Sequence, residues 1–359
     1  MLTNLAIIKL LVVSTLSFGL AMAFTPVVTR FLYRHRFGKR IRDAKEAPIF
    51  HRLHQKKTGT PTMGGVVVWV PVLVLALGLH ALSLWLPEAW SLTRIISRLD
   101  FLSRPQTWLP LGALVASALV GLVDDYLNVR GIGAHNGGLR KRHRLVIYTL
   151  IAFVGAWWFT FKLEWHILHV PFFGDLSVGL WSLLIFTLII VATSFSSNQT
   201  DGLDGLAGGV LLTSFGAYAV IALIIGREDL ATLCAALVGA LLAFLWFNIN
   251  PARFFMGDTG SMSLGVTLGI IAMLTNQPLL LPIIAFVFVI EMLSSMLQLS
   301  SKKLFKKKIF LSSPLHHHLE AVGWPEPKIV MRAWIVSMVM ASLGIALAVL
   351  DLNLGVGLV

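Results

Sequence analysis

Charge is what this chain has least of. Only 13% of its 359 residues are charged and 57% are apolar, where a soluble domain carries about 25% charged residues. A soluble globular class is therefore excluded. Cysteine is nearly absent as well. Cys234 stands alone, so no intrachain disulfide can form, and its place inside an apolar run reads as packing. Acids are scarce, 17 against 29 Lys and Arg, for a net charge of +12. In a soluble protein that excess would suggest nucleic acid. Beside many runs of roughly 20 apolar residues it reads instead as basic loops meeting anionic membrane lipids and anionic substrates, and no nucleic-acid partner is expected. No basic stretch precedes the first apolar run, because Lys9 falls inside it and Arg30, Arg34 and Arg36 follow it. The cleavage-like Ala21-Met22-Ala23 is accordingly not read as a signal-peptide site, and the first run becomes an uncleaved span.

What the chain does have is ten apolar runs, near 4–29, 64–86, 108–124, 145–163, 179–196, 206–226, 231–248, 261–276, 279–300 and 331–350. They predict an all-α integral membrane protein of ten transmembrane helices, forming one polytopic domain over 1–359. The loops after the odd-numbered runs hold ten Lys and Arg over 30–57, five over 130–144, Arg253, and seven over 302–332. The opposite loops hold Arg94, Arg98, Arg104, Lys162 and Arg227. The positive-inside rule makes the richer side cytoplasmic and puts both termini outside.

Five of the few acids lie at the ends of these runs: Asp124 and Asp125 in GLVDDY, Asp201 and Asp204 in NQTDGLDG, and Asp258 in FMGDTGS. An even number of crossings separates one group from the next, so all five reach the cytoplasmic side. Unpaired carboxylates beside hydrocarbon are costly, and together they predict a metal ion. Asp124 and Asp125, adjacent at the close of a helix, point about 100° apart and have two roles. The helix dipole disfavours acids there, so Mg2+ or the nearby Arg140, Arg142 and Arg144 must compensate; a solvated helix end is the plainer alternative. Asp201 and Asp204, spaced i,i+3, would share a face if the stretch opens the next span helically. Asn198 adds an amide oxygen suited to a hard cation, though Asn, Asp and Gly also make ordinary turns. Near Asp258, Gly257, Gly260 and Ser261 could offer amides to a phosphate and Phe255 could stack on a base; a capping aspartate is the plainer reading.

Lys57-Thr58-Gly59-Thr60-Pro61-Thr62-Met63-Gly64-Gly65 joins a cation and hydroxyls to flexible backbone before the second span. His316, His317 and His318 follow Pro314. Consecutive side chains diverge, which excludes a three-histidine zinc site unless ligands arrive from elsewhere; hydrogen bonding to a polar substrate fits better. The run Lys302, Lys303, Lys306, Lys307 and Lys308, interleaved with apolar residues, suits a lipid surface. Glu291 lies within the ninth run and receives no role.

HRLHQKKTGTPTMGG, GLVDDY, NQTDGLDGLAGG, FNINPARFFMGDTGS and PLHHHLE together resemble, in order and over essentially the whole chain, the polyprenyl-phosphate N-acetylhexosamine-1-phosphate transferase superfamily. PLHHHLE and GTPTMGG narrow the resemblance to its phospho-N-acetylmuramoyl-pentapeptide transferase branch. That resemblance implies transfer of phospho-MurNAc-pentapeptide from UDP-MurNAc-pentapeptide to undecaprenyl phosphate, giving lipid I and UMP, with Mg2+ as cofactor. It also implies a bacterial cytoplasmic membrane location and leaves room for a homodimer. Motif by motif, Asp124, Asp125, Asp201, Asp258, His316 and His317 fall on catalytic positions. Lys57, Thr62, Asn198, Asp204, Asn248, Phe255, Gln298 and His318 fall on substrate-binding ones, and Asp258 with Asn198 on the metal. The chain departs from the family at Asn128 and Gly137, where lysines are usual, and at Gln199, where an aliphatic residue is usual. Rival functions are a UDP-GlcNAc:undecaprenyl-phosphate transferase, which the histidine triplet disfavours, and a cation-coupled transporter, whose acids would lie near mid-bilayer.

Overall fold

The computed structural model describes residues 4–38, 54–87, 91–102, 105–133 and 137–354. Among these, eight helices are long and apolar enough to cross a bilayer. They are α1 (Asn4–Arg34), α2 (Val66–Trp85), α4 (Pro105–Arg130), α5 (Lys141–Phe161), α6 (Trp181–Thr200), α7 (Leu206–Ile224), α8 (Glu228–Asn248) and α13 (Glu326–Asn353). A short amphipathic helix, α3 (Ser91–Leu99), lies between α2 and α4. Each expected apolar run becomes helical, but two fall short of a straight span.

The first of these is α9 (Asp258–Leu274), only 17 residues or about 26 Å long, against a hydrocarbon core of about 30 Å. Every residue from Thr259 to Leu274 is buried. Contact with lipid is thus replaced by contact with α4, α6, α7 and α2. Small residues permit this: a Cβ on Gly121 of α4 would strike the Thr259 Cα, and one on Gly265 of α9 would strike the Ser194 backbone at 2.7 Å. Close approach at glycine is how helices associate where lipid removes the hydrophobic drive.

The second is the ninth run, expected to be continuous over 279–300. It breaks instead into α10 (Leu281–Ile284) and α11 (Phe286–Leu304), with an 83° bend. Pro278 and Pro282 lack the amides that a continuous ladder needs, and Ala285 leaves helical geometry at φ −100°, ψ 37°. Gly344 of α13 leaves room for Ile284 at the corner.

Burial runs from the centre outward. In the apolar stretch of α8, 78% of residues are buried, against 22% in α1 and in α13. The rim presents Leu5, Ile8, Leu11, Met338 and Val339 outward. In water such a belt would drive aggregation; on a lipid-facing wall it is required. Every membrane-length segment among the described residues is helical, and the molecule is a multi-pass membrane protein.

Two small elements lay outside the sequence expectations. A hairpin of β1 (Ile167–Val170) and β2 (Gly174–Ser177) pairs antiparallel between α5 and α6. His169 in β1 is 4% exposed at its side chain and joins two carboxylates, Asp175 at 2.6 Å and Asp351 of α13 at 2.5 Å. The other Asp351 oxygen accepts the Phe172 amide at 2.7 Å. Burial alone would lower the His169 pKa, but hydrogen bonds to Asp175 and Asp351 and their charges outweigh it and hold it above the ordinary imidazole value. The second element, α12 (Leu315–Ala321), carries the histidine triplet.

Candidate active site

Successive helices deliver their chemistry to one end of the bundle. The C-terminal turns of α4, α6, α8 and α11 meet the N-terminal turns of α5, α7, α9 and α13 there. The five aspartates converge as the crossing parity requires, yet each has its own surroundings.

Asp124 and Asp125 do not close their helix, as the sequence suggested. α4 runs on to Arg130, so both sit more than a turn inside it and point different ways. Asp124 is 5% exposed. Its Oδ1 accepts the Leu139 amide at 2.5 Å and its Oδ2 faces Arg144 Nη1 at 3.3 Å. The same Arg144 nitrogen is bound by Asp258 Oδ2. Arg144 is thus the compensating cation among the basic residues of the 140–144 segment. Asp125 instead caps α9, accepting the Asp258 amide at 3.2 Å and the Thr259 amide at 3.1 Å, with the Thr62 hydroxyl at 3.5 Å. A carboxylate is favoured at a helix N-terminus by the unsatisfied amides and the dipole.

Asp201 accepts the Gly257 amide at 3.1 Å. The amides expected to receive a phosphate at Gly257, Gly260 and Ser261 are therefore engaged internally, Gly260 and Ser261 by the Gly257 carbonyl. Asp201 and Asp204 do not share a helical face. α6 ends at Asp201 with ψ 54°, and Gly205 precedes α7 at φ +82°, so the intervening turn sends Asp204 elsewhere. Asp204 is paired with Lys57 at 2.7 Å and accepts from Asn250 at 3.0 Å and from the Ala252 amide at 3.1 Å. Lys57 also reaches Glu326, the first residue of α13, at 2.5 Å. Its ammonium lies 5.8 Å from the centroid of the half-buried Phe255 ring.

Asn198 donates its amide nitrogen to Asp258 Oδ1 at 2.7 Å and to Ser261 at 3.0 Å. Asn248 and Gln298 are both turned inward. Asn248 donates to the Phe254 carbonyl at 2.8 Å and accepts from Gly205 at 2.9 Å. Gln298 accepts the Ile309 and Phe310 amides and returns a bond to the Phe310 carbonyl. Each shapes a loop beside the site.

The triplet divides three ways. His316 is fully buried, with Nδ1 3.0 Å from Glu291 Oε2 and Nε2 buried without a hydrogen-bond partner. A Cβ on Gly202 would collide with that imidazole, so the glycine lets α12 dock under the Asp201 turn. His317 faces Glu320 at 2.7 Å and lies edge-on to His54, ring centroids 5.3 Å apart. His318 accepts the Leu311 amide at 3.2 Å. Burial pushes the Glu320 carboxyl up to about 7; the Glu326 carboxylate adds to the shift, and His316 and Lys57 only partly offset it.

Sequence reasoning did not single out Glu326, His54 or Glu320, and left Glu291 without a role. The apolar setting of Glu291 was a usable signal; the other three lie in polar stretches where acids and imidazoles pass unnoticed. The family departures also find their place. Gly137, at φ +106°, packs on Asn128, whose carbonyl oxygen lies 2.9 Å from where a Cβ would stand. Gln199 donates to Ser295 on α11.

A family model described as glycosyl transferase family 4 matches residues 107–276. A phospho-N-acetylmuramoyl-pentapeptide-transferase of Chloroflexus aurantiacus is 37% identical over 355 residues, covering 95% of this chain and 90% of that protein. Proteins of the same name from Geobacillus kaustophilus and Shouchella clausii are 40% and 39% identical, each covering 95% of this chain and 98% of their own length. The motif order and these whole-length likenesses agree, and the chain belongs to the phospho-N-acetylmuramoyl-pentapeptide transferase family.

Proposed function

We propose that this protein transfers phospho-MurNAc-pentapeptide from UDP-MurNAc-pentapeptide to undecaprenyl phosphate, releasing UMP and forming lipid I. The observation that carries the reading is the shared cation: Asp124 and Asp258 meet at Arg144, beside Asp125, Asp201 and Asn198. Carboxylates outnumber the positive charge at this spot, and the Asp258 side chain is 20% exposed, a donor set suited to a hard divalent ion. Asp258 would hold Mg2+ together with Asn198, whose amide nitrogen bonds the Asp258 carboxylate, while Asp201 takes the Gly257 amide and Asp125 the first amides of α9. Bound there, Mg2+ would neutralise charge on the diphosphate and on departing UMP.

In the reaction, an oxygen of the lipid phosphate attacks the sugar-linked phosphorus. The bond from that phosphorus to the bridging oxygen breaks, and UMP leaves with its electron pair. A phosphate monoester has a second pKa near 6, so the attacking group is mostly dianionic at neutral pH. Asp124 takes the remaining proton from the fraction that is not. It is poorly suited to attack phosphorus itself, because the Leu139 amide and Arg144 draw on both its oxygens. Direct transfer is therefore favoured over an aspartyl-phosphate route. The uracil stacks on Phe255 beside Asp204 and Lys57, while the buried Thr62 and His316 support Asp125 and the Asp201 turn from beneath.

The reading carries a topology. All ten apolar segments cross the bacterial inner membrane in one polytopic domain, with both termini outside and the aspartates at the cytoplasmic surface. The bent α10–α11 pair and the enclosed α9 count as crossings. Carboxylates at one border, not at mid-bilayer, also weigh against an ion-coupled transporter. The deciding assay offers purified protein undecaprenyl phosphate, Mg2+ and either UDP-MurNAc-pentapeptide or UDP-GlcNAc. UMP release with the first alone is expected; release only with the second would reassign the donor, and release with neither would end the enzyme reading.

A further inference from the structure

The histidine triplet cannot close a zinc site by itself, because neighbouring side chains diverge. The fold brings the missing donors from elsewhere. His54, just before the turn that carries Lys57, packs against α12 so that His54, His317 and Glu320 each direct a ligand atom into one small volume. Those three atoms all lie within 4.8 Å of one another. Both oxygens of Glu320 take part: Oε1 is 3.6 Å from His54 Nε2 and Oε2 is 2.7 Å from His317 Nδ1. His54 and Glu320 are buried and His317 nearly so.

We propose that this trio is a second metal site, distinct from the aspartate cluster, that takes a zinc-class divalent cation. Two imidazole nitrogens and one carboxylate form the ligand set that such ions use with a fourth position left open. A tetrahedral ion bound at about 2.0–2.1 Å spaces neighbouring donors about 3.3 Å apart. The His54–Glu320 separation is within a few tenths of an ångström of that value. Imidazole selects against Mg2+, which prefers oxygen donors and retains water, so the two sites would sort their metals by chemistry.

The consequence lies in position. His54 is three residues before Lys57, and Lys57 holds both Asp204 and the start of α13. An ion clasping His54 to α12 would fix the turn from which Lys57 reaches. The open fourth position takes water or a phosphate oxygen.

The test needs no turnover and no Mg2+, so it stands apart from the transferase reading. Tag-free protein in lipid nanodiscs is stripped with chelator and titrated with Co2+, whose tetrahedral complexes give an intense visible band. One Co2+ per chain, displaced by Zn2+ and not by Mg2+, is the expected result. His54→Gln and Glu320→Gln should each weaken binding by more than about ten-fold, since loss of an outer partner alone costs 10–100-fold. Absence of a stoichiometric band in the unmutated protein overturns the proposal whether or not the variants fold. So does a band that both variants retain unchanged, which would locate the ion elsewhere.

Discussion

Glu326 and Asp351, near the two ends of α13, are about 37 Å apart along the helix, and each belongs to a buried charged cluster of different make-up. At Asp351 one imidazole serves two carboxylates: His169 bridges Asp351 and the 32%-exposed Asp175, and the Phe172 amide takes the other Asp351 oxygen. At the Glu326 end the surplus of acids is larger. Asp204 and Glu326 share Lys57, Asp124 and Asp258 share Arg144, and Asp125 and Asp201 lean on backbone amides. A buried charge in a membrane protein is a functional candidate by default, but these two clusters show that burial alone is not the mark. A lone surplus charge, eased by solvent and hydrogen bonds, fastens; several together leave room for a cation and for a phosphate to arrive.

The sharpest way to break the contrast is to remove one acid from each end. Asp258→Ala should lower kcat by at least about 10³-fold, the scale of losing a principal electrostatic element, and should raise the Mg2+ concentration needed for half-activity. Asp351→Ala should leave turnover per folded molecule near normal; equal losses in the two variants would erase the distinction. Next comes Lys57→Met, which leaves Asp204 and Glu326 facing each other with their shared cation gone. Breaking a buried pair costs about 3–5 kcal/mol, and the partial exposure of Lys57 favours the lower figure. Thermal unfolding in nanodiscs would read it, and an unshifted melt would mean that the pair is spectator.

At the far end, His169→Asn should cost about 2 kcal/mol near pH 6, without loss of kcat in the surviving enzyme. The sign of its pH dependence follows from the direction of the shift. A histidine whose folded pKa is raised contributes fully below its unfolded value, about 6.5, and that contribution fades as pH climbs through the folded value. The gap between the native and His169→Asn melting curves should therefore narrow from pH 6 to pH 9; a constant gap would remove the charge from the account. The smallest effect concerns the family departures. Gly137→Lys restores the residue usual in the family but forces a side chain onto φ +106° and against Asn128. A loss of about 1–2 kcal/mol is expected, and should shrink when Asn128 is changed as well. A neutral result would show that the loop adapts without strain.

Much of this arrangement was legible in the chain. Apolar runs of membrane length mark the helices, and crossing parity alone brings Asp124, Asp125, Asp201, Asp204 and Asp258 to one end. The misses share a cause. The break at Ala285 depends on where two prolines fall relative to a neighbour, and apolar periodicity does not register it. The side chain that pairs with a carboxylate is equally hidden: His169 and Asp351 are 182 residues apart, and Lys57 and Glu326 are 269 apart. Arg144 stood among several basic neighbours, and only its reach from the first turn of α5 to Asp124 and Asp258 separates it from Arg140 and Arg142. The turn at 201–205 looked helical by spacing because an i,i+3 pair of acids suits both a helix and a pair of unrelated roles.

The enclosure of α9 bears on which changes the protein can inherit. A helix at the rim can absorb an added or deleted residue by sliding or rotating against lipid, which has no register to violate. α9 has no such freedom. One residue inserted in it would turn Asp258 by about 100° and move it about 1.5 Å along the axis, away from Arg144, while the glycine contacts with α4 and α6 resist any compensating rotation. Substitutions of similar size can be tolerated there one at a time, but its length is fixed, so lineages of this protein should differ in the lengths of their loops and hardly ever in that of α9.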